Sequence, residues 1–116
     1  MRSDRERLLD ILEAIERINT HKVKSRSDFD SDELLQVWFI HHLQIIGEAA
    51  SRLSDDIRAQ HPDLQWGQMI GMRHILVHGY FSVDQEIVWN AVQENLAQLK
   101  QRVEAILRQL GDSHLH

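Results

Sequence analysis

The segment GMRHILVHGYF, residues 71–81, gathers an Arg, two His and the only Tyr of the chain beside two glycines. The planar fork of Arg73 is suited to holding a phosphate through paired, charge-assisted hydrogen bonds. A histidine with an unperturbed pKa near ~6.5, such as His78, takes or gives a proton at neutral pH. Together these groups suit phosphodiester cleavage in RNA, where the 2′-hydroxyl is an internal nucleophile. The protein then supplies a base, an acid and stabilisation of negative charge. Positions 73 and 78 are five apart, so on a continuous helix their side chains point about 140° apart. They converge only if the helix ends near His78, which Gly79 permits, or if two subunits face each other. Taken alone, the pattern is also satisfied by a surface Arg73, a capping or core His78, and a Tyr80 that is simply amphipathic at a helix end.

Other residues stand near this chemistry. His74 and His78 share the i, i+4 spacing of a metal pair on one helix face, but the chain has no Cys and offers no obvious third ligand. No metal and no cofactor is therefore expected. His74 is left as a possible extra proton carrier. Glu48 follows Gly47 among apolar neighbours and reads either as an acid paired with an Arg or as a carboxylate orienting His78 or Arg73. Lys22, Lys24 and Arg26 could touch RNA phosphates, although so short a cluster is usually just solvated. Trp38, Trp66 and Trp89 sit among apolar residues and read as core or interface.

Net charge is −5, which argues against a general nucleic-acid binder. Yet no Asp or Glu occurs between Leu64 and Val83, the window that holds Arg73, His74 and His78. A locally cationic patch on an acidic protein fits a small phosphate site better than a long groove.

The elements that must position these residues are helical. One Pro and five Gly punctuate 116 residues, and apolar residues recur at helical spacing almost throughout. Ser3 and Glu6 form a capping box for a first helix from about Asp4 to about Thr20, with Leu8, Ile11, Leu12, Ile15 and Ile18 as its stripe. HKVKSRSDFD reads as a loop. Asp30 or Ser31 caps a second helix with Leu35, Trp38, His42, Ile45, Ile46, Ala49 and Leu53 inward. Ser54 caps a short helix ending before Pro62, and a third long helix covers about Leu64 to Val77, with Gly79 as terminator. Ser82 or Asp84 starts a last helix carrying Val88, Ala91, Val92, Leu96, Leu99, Val103, Ile106 and Leu110, closed by Gly111. The expectation is an all-α, antiparallel bundle of four to five helices, one domain spanning residues 1–116. His114 and His116 read as a disordered tail.

The motif from Arg73 to Tyr80, with LLDILEAIERI, IIGEAASRLS and HPDLQWGQMIGMRHILVHGYFSVDQEIVW around it, resembles the HepT-like HEPN-domain toxins of bacterial HEPN/MNT toxin–antitoxin pairs. The signature is R-x4-H-x-Y, and the resemblance covers nearly the whole chain. It implies a dimerising bundle with two motif copies around one cleft, and metal-independent RNA cleavage with Arg73 and His78 catalytic. It also implies a cognate minimal nucleotidyltransferase antitoxin that transfers AMP to Tyr80. Two positions depart from the family pattern: His74 stands where Asn is common, and Gly79 where Asp is common. Both leave Arg73 and His78 in place, which favours an active enzyme. Two alternatives are a non-catalytic helical partner of a nucleotidyltransferase and a metal-binding bundle. With no apolar stretch of membrane-spanning length and no visible signal peptide, the expected location is the cytoplasm, with no membrane partner.

Overall fold

A computed structural model describes residues 3–64, 66–67, 69–71 and 85–114, with side chains up to residue 111. Helix α1 (Asp4–Thr20) starts where the capping box places it. The Ser3 hydroxyl accepts from the Glu6 N–H at 3.2 Å, and the Glu6 carboxylate accepts from the Ser3 N–H at 3.2 Å. Two orphan N–H groups are thereby satisfied, and acids in the first turn favour the positive end of the helix dipole. Its stripe of Leu8, Ile11, Ile15 and Ile18 is fully buried, joined by Ala14, while Leu12 packs at the core's edge.

The stretch expected as loop contains a helix, α2 (Arg26–Asp30). Ser25 caps it by accepting from the Asp28 N–H at 3.1 Å, and Arg26 pairs with Asp30 at 2.8 Å. The decisive term is Phe29, which is fully buried and stacks on Phe39 at 5.8 Å between ring centroids. Burying such a ring is worth a few kcal/mol, enough to organise one helical turn. Because α2 runs through Asp30 and uses Ser31 as its C-cap, the next N-cap moves to Asp32. The Asp32 carboxylate accepts from the Leu35 N–H at 3.0 Å and opens α3 (Glu33–Ser51). The inward set of α3 is wider than one stripe, since Phe39, Ile40, Leu43, Gly47 and Ala50 are buried beside Leu35, His42, Ile46 and Ala49. Leu53 is also buried, but just beyond the helix end.

Ser54 caps α4 (Asp55–Gln60) as expected, accepting from the Ile57 N–H at 3.2 Å. Residues 66–67 and 69–71 are helical and fall within the span expected for the third long helix, while Leu64 is not helical. Trp66 anchors this start: its ring is buried and its indole N–H donates to the His61 carbonyl at 2.8 Å. The remainder of the span expected for that helix, the expected terminator Gly79 and the candidate caps Ser82 and Asp84 lie outside the described residues.

The last helix is composite. Helix α5 (Gln85–Asn90) passes into a π-helical stretch (Ala91–Asn95) and then into α6 (Leu96–His114). The Leu96 N–H bonds back five residues to the Ala91 carbonyl, which defines the wide turn. Gly111 does not close this helix. No described glycine has positive φ, so Gly111 takes an ordinary helical conformation and the backbone helix reaches His114. The reading of His114 as tail is corrected to that extent; its side chain and His116 lie outside the described residues.

Two contacts fix the direction of α3 against α1. At the start of α1, Asp4 accepts from the Ser54 N–H at 2.9 Å and its hydroxyl at 2.7 Å, just past the end of α3. Toward the end of α1, the Arg17 carbonyl accepts from the Trp38 indole at 3.0 Å, early in α3. These two helices are antiparallel. The composite helix starts beside Phe29, with Trp89 at 5.5 Å, and Gln93 donates to the Val23 carbonyl at 3.4 Å, just past the end of α1. Farther along it, Arg102 pairs with Asp63, beyond α4. It therefore runs with α3 and against α1, which packs on both. The all-α architecture holds, with no strand among the described residues.

Among the described residues His42 is the one buried polar side chain of the core, 4% exposed, and neither ring nitrogen has a partner among them. Its ring stands edge-on to Trp38 at 4.3 Å. Burial, then the charges of His41 and Arg17, push its pKa from 6.5 down to about 4, against the opposing pull of Glu13. A histidine depressed in the fold leaves stability intact above 6.5 and drains it as pH falls toward about 4, because the unfolded chain takes up the proton first. Urea midpoints measured at pH 7, 6 and 5 should fall more steeply for the wild type than for His42→Leu. Parallel slopes would show that His42 is solvated or paired in solution.

Candidate active site

The four residues of the motif, Arg73, His74, His78 and Tyr80, lie outside the described residues, as does Gly79. Both flanks are described, and both are held by the core. On the entry side Met69 and Ile70 pack against the core, one turn past the buried Trp66. On the exit side Val88 is 1% exposed, and Trp89 tilts over Phe29. In sequence, the motif falls between these two anchored helical pieces.

Charge near the entry flank is arranged by a pair that sequence reasoning missed. Asp63 immediately precedes the acid-free window, and both of its carboxylate oxygens accept from the Arg102 guanidinium, one at 2.9 Å. The Arg102 hydrogen bonds hold the Asp63 carboxyl below the usual carboxylate range, and the same bonds raise the guanidinium. The last acid before the window is therefore balanced by a fixed cation, and the window keeps its basic character. The two residues are 39 apart in sequence, so no local spacing announces the pair.

Of the supporting residues, Glu48 lies half-buried on α3 and pairs with Arg52 at 2.8 Å, one turn later. It shares a shallow cleft of about 260 Å³ between α1 and α3 with Arg7, Asp10 and His41. The reading of Glu48 as an acid paired with an Arg describes this contact; how it stands to Arg73 and His78 lies outside the described residues. Lys22 and Lys24 are exposed on the link between α1 and α2. Arg26 differs from them, because its guanidinium is engaged by Asp30. The Val23 tie to Gln93 places this link at the end of the bundle where α5 begins. Among the described residues no three His, Asp or Glu side chains converge as a metal site would require, while His74 and His78 lie outside that set.

The Trp residues are where core residues belong. Trp66 is buried, and Trp38 and Trp89 are half-buried against the core. Apolar side chains are also left in water at the end where α3 and α5 start, notably Leu34 at 83% and Ile87 at 43% exposure. No helix among the described residues is long and apolar enough to cross a membrane.

A family model described as "Ribonuclease HepT-like" matches residues 11–106. The chain is 38% identical over 107 residues to "Probable ribonuclease HepT" of Thermococcus cleftensis, covering 90% of this chain and 96% of that protein. It is 35% identical over 100 residues to "Putative RNase MJ1380" of Methanocaldococcus jannaschii, covering 85% of this chain and 92% of the relative. No solved structure matches. The matched span takes in the second half of α1, all of α2, α3 and α4, both flanks of the Arg73–Tyr80 segment and most of the composite helix, and on that ground the chain belongs to the HepT-like ribonuclease family.

Proposed function

We propose that this protein is a toxin endoribonuclease that cuts RNA without a metal, using Arg73 and His78, and that a cognate nucleotidyltransferase neutralises it. The observation that carries the reading is the run Arg73-x4-His78-x-Tyr80 inside a chain that belongs to this family over residues 11–106. Family membership supports ribonuclease activity and RNA as substrate. The finer claims rest on the chemistry of the motif.

In this scheme His78 takes the proton from the RNA 2′-hydroxyl, and the resulting oxygen attacks the adjacent phosphorus. The bond to the 5′-oxygen breaks, leaving a 2′,3′-cyclic phosphate and a 5′-hydroxyl that receives a proton from an acid. His78 of a second copy, or His74, supplies that proton. Arg73 pairs with the non-bridging oxygens as negative charge builds on them. Glu48, fixed by Arg52, takes a supporting place as an orienting carboxylate, and Lys22, Lys24 and Arg26 give weak contacts to more distant phosphates. A homodimer places two motif copies around one cleft. The exposed Ile87, two residues past the start of α5, and Leu34 at the same end supply apolar surface for such a contact.

Arg73→Ala and His78→Ala should each lower RNA cleavage by ~10²–10⁴-fold with the helical circular dichroism unchanged. Cleavage by the wild type should survive EDTA. Loss of cleavage in EDTA with recovery in zinc would mean that His74 and His78 hold a metal instead. If purified wild type leaves RNA intact, the chain is a helical partner of the nucleotidyltransferase rather than an enzyme.

Light scattering at micromolar concentration should give twice the mass of one chain, and Ile87→Asp should shift it toward the monomer. A wild-type monomer would remove the shared cleft from the scheme.

Tyr80 is two residues beyond His78 in sequence, and this scheme takes its hydroxyl to lie within a nucleotide's reach of the phosphate site. An AMP ester there adds a negative phosphodiester and the bulk of adenosine where RNA phosphate would bind. With ATP, magnesium and the cognate nucleotidyltransferase, intact-mass analysis should show an AMP adduct on the wild type and none on Tyr80→Phe. The Phe variant should escape covalent silencing. Silencing without an adduct would mean that the partner acts by binding alone.

A further inference from the structure

A second feature lies against the entry flank of the motif. A cavity of about 180 Å³ opens between α3, the 61–71 stretch and the π-helical turn. Its walls are apolar, with Leu43, Met69 and Leu99 among them, and Asp63, Asn95 and Gln98 supply its polar groups. Pockets that take whole cofactors or drug-sized ligands run to ~300–1,000 Å³, so this one suits a single small ring system. Asn95 and Gln98 are exposed, three residues apart on one helix face, and neither amide has a hydrogen-bond partner among the described residues. Asp63 is different, because Arg102 holds its carboxylate in one orientation. Each carboxylate oxygen has a lone pair left over, so Asp63 can still accept further hydrogen bonds. Its charge is balanced, and it does not repel an electron-rich ligand.

The backbone at this place is unusual. The Ala91–Asn95 turn is π-helical, a form that accounts for well under ~1% of residues and recurs at functional sites. Asn95 is the last residue of that turn, three before Gln98, and both line the cavity with Asp63. Apolar walls, two exposed amides and one fixed acceptor are what a splayed, single-stranded base meets in sequence-selective RNA recognition. An amide pairs with adjacent acceptor and amine groups on a base edge, as Asn and Gln do with adenine. The fixed acceptor adds a preference for an exocyclic amine. Uracil has none. Position along the chain agrees: Arg73 follows Met69 by four residues, so chain length alone keeps its Cα within ~14 Å of this wall.

We propose that this cavity is a nucleobase subsite that selects an amine-bearing base of single-stranded RNA next to the scissile phosphate. It rests on the ribonuclease reading for its substrate, and the subsite is what would give that activity a sequence preference.

The test separates binding from cleavage. With isotope-labelled full-length protein, adenosine should saturably shift the side-chain amide signals of Asn95 and Gln98 and the methyl of Met69. Uridine should bind about tenfold more weakly, a gap of about 1.4 kcal/mol. The double variant Asn95→Ala/Gln98→Ala should lose adenosine binding about tenfold, while Glu94→Ala, an exposed neighbour, should not change it. Arg73→Ala should bind adenosine normally, since a nucleoside carries no phosphate. On a random-sequence RNA pool, wild-type cuts should show a preference for an amine-bearing base at one fixed offset, and the double variant should flatten it. Unmoved signals with every nucleoside, or equal response to adenosine and uridine, would overturn the subsite. Nucleoside binding as expected with RNA left intact would overturn the ribonuclease reading and leave the subsite standing. Cleavage without nucleoside binding would do the reverse.

Discussion

The buried stripe of α1 sets the register of everything else that is described. Leu8, Ile11, Ile15 and Ile18 are fully enclosed, and α1 is the helix that packs on both α3 and the composite C-terminal helix. Apolar contact alone would leave these helices free to slide by a turn, since one aliphatic side chain substitutes for another at little cost. Polar clamps remove that freedom. The Asp4–Ser54 bonds pin one end of the α1–α3 pair, and the Trp38–Arg17 bond pins the other. A one-turn slip would break directional bonds at both ends at once, whereas a purely greasy seam would tolerate it.

That framework explains why the fold could be read from the residues in some places and not in others. Helix α1 was readable because a capping box and a single apolar stripe agree on its start and its face. The same holds for α4, where Ser54 and Pro62 mark both ends. Helix α2 was not readable, because five residues are too few to show a period and its polar neighbours look like loop. What makes it a helix is Phe29 meeting Phe39 and Trp89, contacts between residues distant in sequence. The N-cap of α3 moved to Asp32 for the same reason: two acids and a serine in succession all qualify, and α2 consumes the first two. Gly111 misled because glycine ends a helix only where a positive φ is needed, and here the helix simply continues. The π turn leaves no trace in the pattern either, since Val88, Ala91, Val92, Leu96 and Leu99 fit an ordinary helix equally well.

For the candidate site, the residue types were readable and their mutual placement was not. Arg73, His78 and Tyr80 stand out because no other short stretch joins a phosphate fork, an imidazole and a phenol. Their convergence is not fixed by a spacing of five residues, which on a continuous helix points the two side chains apart. His42 shows the other limit. Its place on the inner stripe of α3 was readable, but its unpartnered ring nitrogens are a property of the packing around it.

Charge finally constrains how such a protein can handle RNA. With a net charge of −5, it cannot rely on many phosphate contacts, whose summed effect dominates binding by basic proteins and falls steeply with salt. The acid-free window supplies a small number of cations, and the Asp63–Arg102 pair closes that window on one side without adding net negative charge. Two or three phosphate contacts give little affinity at physiological ionic strength. Recognition by such a chain depends more on interactions that salt does not screen, such as apolar enclosure and hydrogen bonds between neutral groups. An acidic ribonuclease of this size is therefore expected to discriminate among RNAs more than it holds on to them, because the terms left to it are directional ones.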